Sequence, residues 1–331
     1  MKRQREKYYF NWMEVHLADH CNLRCRSCSH HSPYLPEAFY PLDEFERDIQ
    51  TFSKVAKLNL LKFVGGEPLL NKDIVSYLHT ARRAKVARIL CVVTNGILLH
   101  RMNDEFFGAV DRIEVSSYPA LERLAGPVRR LLNEKARKFG FTFEIIATDR
   151  FYDIETDYPL SERDTEFTYA HCERRKHGPL IDRGYFYKCF RPATTLSYLR
   201  NRGALTDLPD FAQVDGIALH ASSLRQRMAD YMQSNNPLQC CRFCRLGFKR
   251  EHSANWYEAI RDVLPWQHKI RLLLYRHKRV LSQYFRLRQA FGLTETKAHR
   301  ADGVAFHPHE LMGPQECKPR PRAPELAAIQ E

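Results

Sequence analysis

The sequence predicts an α/β protein: an open, partial (β/α)6 TIM-like barrel followed by a small C-terminal β-hairpin and helix domain rich in cysteine. Three observations lead there. Strand-like and helix-like segments alternate over the first 150 residues. Several strand-like runs are continuously apolar, as parallel strands covered on both faces should be. After Thr148 the rhythm breaks, and a short hairpin pattern and a CxxC follow.

The elements follow in order. Asn11–Asp19 reads as the first strand, with Met13, Val15 and Leu17 apolar, and Leu42–Leu58 as an amphipathic helix begun by Asp43. Leu60–Val64 is a buried strand, after which Asn71 is expected to cap a helix running to about Lys85. Arg88–Thr94 is a third strand, and a short helix follows near Asp104–Val110. Arg112–Ser117 is a fourth strand, Leu121–Phe139 a helix ended by Gly140, and Phe141–Ala147 a fifth strand. Strand–helix alternation of this kind requires a parallel sheet with helical crossovers. Five units are clear and a sixth has room, which suits a partial barrel better than an eight-unit one. Asp149–Glu166 reads as a connection, and Leu180–Cys189 as a hairpin turning at Asp182-Arg183-Gly184. Ile270–Leu287 reads as a basic helix and the last thirty residues as a polar, proline-rich tail. The expected division is residues 1–155 for the barrel, 156–250 for the cysteine-bearing domain and 251–331 for the helical extension and tail.

The chain of 331 residues is 44% hydrophobic and 27% charged, as ordinary globular proteins are. It has no apolar run long enough for a membrane span and no secretory pattern at MKRQREKYYFNW, so a cytoplasmic location is expected. The formal net charge is +13, but the basic residues are spread along the chain. Such a charge is compatible with a nucleic acid, a membrane surface or an anionic substrate and selects none of them. Ten cysteines without an export signal point to metal binding or catalysis, not to a disulfide framework.

The first cysteine group is Cys21-Asn22-Leu23-Arg24-Cys25-Arg26-Ser27-Cys28, directly after the first strand. In a barrel-like sheet the carboxyl ends of the strands carry the active site. Three thiolates suit a [4Fe–4S] cluster with one open iron. Zinc with His20, His30 or His31 as fourth ligand is the alternative for this group taken alone.

With four further positions, CNLRCRSC resembles the signature of the radical S-adenosylmethionine (SAM) superfamily. Val64-Gly65-Gly66-Glu67-Pro68 matches the family's GGEP motif at the end of the second strand. Thr94-Asn95-Gly96 ends the third strand, Ser116 and Ser117 end the fourth, and Ile145-Ile146 lies on the fifth. The resemblance covers about residues 11–150. It implies that Cys21, Cys25 and Cys28 hold a [4Fe–4S] cluster to which SAM binds. It further implies that Gly65, Gly66, Glu67 and Pro68 meet the methionine part of SAM. Thr94 and Asn95 match the family's TNG at the third strand end, Ser116 and Ser117 its polar contact to the ribose or carboxylate, and the backbone at Ile146 its adenine support. Glycines allow close backbone approach to such a ligand. The chain has Ser27 where the family commonly carries an aromatic residue beside the adenine. The chemistry so implied is reductive cleavage of SAM to a 5′-deoxyadenosyl radical that abstracts a substrate hydrogen.

Of the remaining cysteines, Cys91 lies mid-strand and reads as a buried inert thiol, and Cys317 sits in the tail. Cys172, Cys189, Cys240, Cys241 and Cys244 form a second group, whose two pairs alone fit zinc or a cluster equally. After a radical SAM core they resemble the twitch and SPASM domains. That resemblance implies an auxiliary [4Fe–4S] cluster on Cys172, Cys189, Cys241 and Cys244, with Cys240 as an alternative to Cys241. An unused Cys240 is the candidate thiol for returning a hydrogen atom to a substrate radical.

The layout is most similar to that of twitch-containing dehydrogenases of cyclitol biosynthesis. The implied function is a radical SAM oxidoreductase acting on a hydroxylated small molecule, a sugar or aminocyclitol, with the auxiliary cluster accepting an electron. The implied partner is a flavodoxin- or ferredoxin-type electron donor. Peptide modification and epimerisation are the competing enzyme readings, and a zinc-dependent nucleic-acid-binding protein is the non-enzyme one. No finger spacing and no run of basic residues interleaved with aromatics supports the last, so no nucleic-acid partner is expected. The basic helix 270–287 leaves peripheral membrane contact as an alternative to packing on the barrel. His30, His31 and Tyr34 are candidates for substrate contact by position alone.

Overall fold

The computed structural model describes residues 7–25, 27–148, 150–172, 174–203, 208–245 and 250–253. The expected helix 270–287, the tail and Cys317 lie outside the described residues. The first half alternates as expected: β1 (Tyr8–Ala18), α1 (Leu42–Val55), β2 (Ala56–Gly65), α2 (Ile74–Arg83), β3 (Ala87–Thr94), α3 (Asp104–Ala109), β4 (Arg112–Ser117), α4 (Glu122–Phe139) and β5 (Thr142–Ala147). Next come β6 (Arg150–Asp153), α5 (Glu162–Ala170), α6 (Arg174–His177), β7 (Leu180–Asp182) and β8 (Tyr185–Tyr187). The described chain closes with α7 (Arg191–Asn201), α8 (Phe211–Asp215), β9 (Ile217–Ala218), α9 (Leu224–Gln233) and β10 (Arg250–Ser253).

One sheet carries the order β5-β4-β3-β2-β1-β7-β8-β9. Strands β1 to β5 pair in parallel, and β7 joins β1 in parallel through Glu14↔Leu180 and Val15↔Ile181. The sixth parallel strand therefore exists, but it is the first arm of the hairpin and it sits beside β1. After β5 the chain instead forms β6, which pairs antiparallel with β10 in a separate two-stranded ribbon. An unpaired β1 edge would expose a row of backbone donors and acceptors, and β7 closes it.

The core lies between this sheet and its helices. Met13, Val15 and Leu17 of β1 meet Phe45, Ile49 and Phe52 of α1, together with Leu61 and Phe63 of β2. Those α1 positions recur at helical spacing, and Asp43 and Glu44 complement the helix dipole in its first turn. The predicted α1 runs three residues too far. Lys57 and Leu58 pair with Tyr9 and Phe10, so strand pairing claims them. Asn71 does not cap α2. Its Oδ1 accepts the Asp73 N–H (2.9 Å), a local turn that places the helix start at Ile74. Gly140 ends α4 in the left-handed conformation (φ 74°), as its sequence position predicts. Among the described residues, no helix is long and apolar enough to cross a membrane.

Candidate active site

The carboxyl ends of β1, β2 and β3 are tied together by the residues singled out in the sequence. Gly65 has φ +126°, and a Cβ there would lie 2.1 Å from the Ala18 carbonyl oxygen. At Gly66 a Cβ would lie 1.9 Å from the His20 carbonyl oxygen. The Gly66 N–H donates to Ala18 O (2.7 Å) and the Glu67 N–H to His20 O (3.0 Å). The expected close approach is thus real, and its first occupant is the chain itself. The segment leading into Cys21 rests directly on the glycine turn.

Glu67 is fully buried. Its Oε1 accepts the Leu69 N–H (3.0 Å) and the Thr94 hydroxyl (2.7 Å), and its Oε2 accepts the Asn95 N–H (2.8 Å). Burial outweighs these three donors and raises its pKa to about 7. Pro68 opens the short 3-10 turn Pro68–Leu70 behind it. Asn95 in turn donates from Nδ2 to Asn22 Oδ1 (2.7 Å) and lies 3.8 Å from Cys21 Sγ. The GGEP and TNG residues therefore form one hydrogen-bonded brace under the cysteine loop.

Cys21, Cys25 and Cys28 pack with Leu23, Ile97, Tyr118 and Leu121. Burial pushes the Cys21 thiol up to about 12 and raises Cys25 and Cys28 as well. Cys21 and Cys25 are raised further by their fellow thiols. Bare thiolates are thus disfavoured together here, and a cationic centre among them would reverse that. Tyr118, just after β4, is half-buried beside Cys25 and Cys28 and interacts with Ser116. It places an aromatic ring next to the loop that carries Ser27. Ser116 and Ser117 are half-buried at the same strand end and pair with Ile146 and Ala147 of β5. Ile146 is 41% exposed, an apolar surface at the mouth of the sheet.

The second group comes together from three stretches of the chain: Cys172 after α5, Cys189 after β8, and Cys240, Cys241 and Cys244 around the 3-10 turn Gln239–Phe243. Burial raises Cys172 and Cys189, and both feel the charge of Cys241. Cys241 is lowered, chiefly because Cys240 hydrogen bonds to it. Cys240 itself is fully buried among Tyr198, Leu199, Phe211, Leu238 and Phe243, and its backbone N–H donates to Asp215 Oδ2 (2.8 Å). Arg191 is buried beside this group. Burial opposes its charge, but Cys244, Glu155, Cys189 and Cys240 hold its pKa above the usual value.

His31 links the two groups. Its Nδ1 meets Thr194 Oγ1 (3.0 Å) and its Nε2 meets Glu155 Oε1 (3.0 Å), which also accepts from Arg191 Nη2 (2.9 Å). The ring stacks on Tyr198 at 4.7 Å. With both nitrogens engaged, His31 is a strut between the cysteine loop and α7.

Sequence reasoning missed the other face of β1. Glu14 and His16 alternate with the apolar core residues and are buried there beside the half-buried His30. Burial opposes ionisation of Glu14, but His30, Arg174 and His16 outweigh it and hold its pKa at about 2. Burial, aided by the charge of His30, takes His16 down to about 3. On neighbouring strands Lys62 Nζ pairs with Glu114 Oε2 (2.8 Å), and Arg112 bridges Glu114 and Glu144 (3.1 and 2.7 Å). Cys91 is fully buried beside Glu114, Lys62 and Arg112. A polar run at every second position of β1 was the available signal.

Among the described residues, one set of three metal-binding donor atoms lies mutually within 4.8 Å, and it contains no cysteine. A tetrahedral zinc thiolate site needs sulfurs about 3.8 Å apart. Among the described residues no three cysteine sulfurs lie mutually within 4.8 Å, and the wider ligand spacing of a four-iron cube is compatible with both groups.

Residues 15–147 match the model of the Radical SAM superfamily, a span that runs from β1 to the end of β5. This segment is similar to a radical SAM core, a family whose cofactors are SAM and a [4Fe–4S] cluster. Among curated proteins, the chain is similar to a GTP 3′,8-cyclase of Heliobacterium modesticaldum, 32% identical over 116 residues, or 32% of this chain and 33% of that protein. It is also similar to molybdenum cofactor biosynthesis protein 1 of Dictyostelium discoideum, 30% identical over 109 residues, or 30% of this chain and 16% of that protein. The matched part is thus a sixth to about half of the curated relatives' length. Among solved structures, BtrN in complex with AdoMet and 2-DOIA is 13% identical with a TM-score of 0.39, covering 72% of this chain and 94% of that one. SuiB of Streptococcus suis bound to S-adenosylmethionine is 14% identical with a TM-score of 0.31, covering 66% and 68%.

Proposed function

We propose that this chain is a radical SAM oxidoreductase that removes a hydrogen atom from a carbinol carbon of a hydroxylated small molecule, such as a sugar or aminocyclitol. One observation carries the reading: two separate buried and half-buried thiol groups, neither with three sulfurs mutually within 4.8 Å, are joined by the His31–Glu155–Arg191 strut. When bound, SAM and its cluster on Cys21, Cys25 and Cys28 supply the hydrogen-abstracting 5′-deoxyadenosyl radical. The chain's own work is orientation and exclusion of water. The Glu67–Thr94–Asn95 brace fixes the loop, Ser116 and Ser117 offer polar contacts at the mouth, and Tyr118 and Ile146 offer apolar surface. Cys172, Cys189, Cys241 and Cys244 would hold a second cluster able to take the electron that ketone formation releases. Arg191, buried beside them, favours such an acceptor by its charge. Cys240 supports Cys241 by hydrogen bonding, a placement that favours a positioning role over hydrogen donation. A flavodoxin- or ferredoxin-type protein is the proposed reductant, and residues 156–250 the proposed auxiliary domain.

The similarity to GTP 3′,8-cyclases over part of the core favours a purine nucleotide as the second substrate reading. Incubation of the anaerobically reconstituted protein with SAM and dithionite tests both. Formation of 5′-deoxyadenosine carrying deuterium from a carbinol-deuterated sugar or cyclitol supports the first reading. Deuterium arriving from ribose-labelled GTP replaces it with the second. No 5′-deoxyadenosine from a protein with full iron content overturns both.

A further inference from the structure

The face of β1 opposite the apolar core holds Glu14 and His16, which no feature of the radical SAM reading uses, and His30 of the cysteine loop lies against them. One donor atom from each of Glu14, His16 and His30 lies within 4.8 Å of the other two. Glu14 Oε2, His16 Nε2 and His30 Nε2 are each buried without a hydrogen-bond partner. Glu14 is 6% and His16 1% exposed. Leaving a buried polar atom unpaired costs about 1–3 kcal/mol, so three converging ones require an explanation.

The ion pairs of Glu14 with His30 and Arg174 are long and do not supply the missing hydrogen bonds. Glu14 Oε2 and His30 Nε2 are 3.7 Å apart, beyond hydrogen-bond length. Arg174 Nη1 approaches the other carboxylate oxygen, Oε1, at 3.8 Å. His16 and His30 meet edge to face with ring centroids 5.0 Å apart, which brings their nitrogens together without bonding them. Two imidazoles and one carboxylate oxygen are a donor set that suits zinc and other divalent first-row ions. A tetrahedral zinc site has donor atoms about 3.3 Å apart, so closure of at most about 1.5 Å completes it. Two of the three ligands stand on a central strand of the sheet, between β2 and β7, which fixes their spacing.

We propose that Glu14, His16 and His30 bind one divalent transition-metal ion inside the barrel, separate from both cysteine groups. Three protein ligands leave at least one coordination position open for water or for a substrate oxygen. The site does not depend on what the cysteines hold.

The test loads zinc onto protein whose clusters have been reconstituted anaerobically and whose iron and sulfide have been measured. The expected result is one zinc per chain beyond the cluster iron, with only nitrogen and oxygen scatterers in its X-ray absorption spectrum. Glu14→Gln and His30→Gln should each weaken zinc binding at least tenfold while leaving iron content unchanged. His30 is partly exposed, so its variant keeps the test decisive if the buried Glu14 variant fails to fold. Sulfur scatterers, equal zinc affinity in parent and variants, or no zinc uptake by the cluster-loaded parent would each overturn the proposal. Cluster failure would show separately in the iron and sulfide content.

Discussion

The two cysteine groups solve the same problem by opposite means. Cys21, Cys25 and Cys28 lie within eight consecutive residues, on a loop held from below by backbone bonds to Gly66 and Glu67. Cys172, Cys189, Cys241 and Cys244 come from three distant stretches and are gathered by helices, a hairpin and a 3-10 turn. The first group is packed against the apolar side chains of Leu23, Ile97, Tyr118 and Leu121. The second has the buried Arg191 beside it and the buried Lys188, whose pKa burial, with help from Arg175, lowers to about 8. A local motif can rely on loop geometry alone. A dispersed one depends on the whole second half being folded, and it collects compensating charge as it forms.

The sharpest way to break this comparison is to remove one thiol from each group. Cys25→Ala should abolish 5′-deoxyadenosine formation outright and lower iron content by about half if each group holds a four-iron cluster. Cys172→Ala should lose a similar amount of iron yet still cleave SAM, with product formation lost instead. Iron and sulfide assays alongside 5′-deoxyadenosine measurement distinguish the two. If Cys172→Ala also ended SAM cleavage, the two groups would not be independent sites.

Gly66→Ala probes how far the first group rests on the turn beneath it. A methyl there meets the His20 carbonyl at 1.9 Å, and backbone cannot step aside as a flexible side chain would. The expected destabilisation is about 3 kcal/mol or more. Denaturant unfolding should show it, with iron lost from the first group and retained by the second. Unchanged stability in the Gly66→Ala variant would mean that the loop is not seated on the turn.

How much of this was legible in the sequence follows the same division. The CxxxCxxC loop, the GGEP and TNG strand ends and the β1–β5 alternation are local patterns, and each is found where the sequence predicts it. The pairing of β7 with β1 was not legible, because strand order across a sheet depends on edges far apart in sequence. His31 reads like His30 in the chain, yet its two nitrogens are tied to Thr194 and Glu155, more than a hundred residues away. Glu14 and His16 look like ordinary polar positions of a half-exposed strand until the barrel encloses them. The hairpin turn is legible because Arg183 and Gly184 both take positive φ (39° and 82°), a demand that local turn chemistry announces.

A smaller effect bears on the brace that ties the first group to β3. Glu67 in the folded chain holds its proton up to about pH 7, against a usual value of 4.5, because burial outweighs its three donors. Between those two values the folded state binds more protons at this site than the unfolded chain, so its contribution to stability falls as pH rises from about 4.5 through 7. Glu67→Gln cannot ionise, so it should flatten that part of the stability–pH profile relative to the parent. It also has one acceptor oxygen for donors that now use two, so the Asn95 N–H or the Thr94 hydroxyl loses its partner, at about 1 kcal/mol. Thermal unfolding of cluster-loaded protein without SAM, between pH 5 and 8, measures both effects at once. A profile of unchanged slope in the variant would show that Glu67 is already ionised at low pH, stabilised by its donors against its burial. The brace would then be an anionic support directly beneath the cysteine loop, and the first group, like the second, would have a charge built into its scaffold.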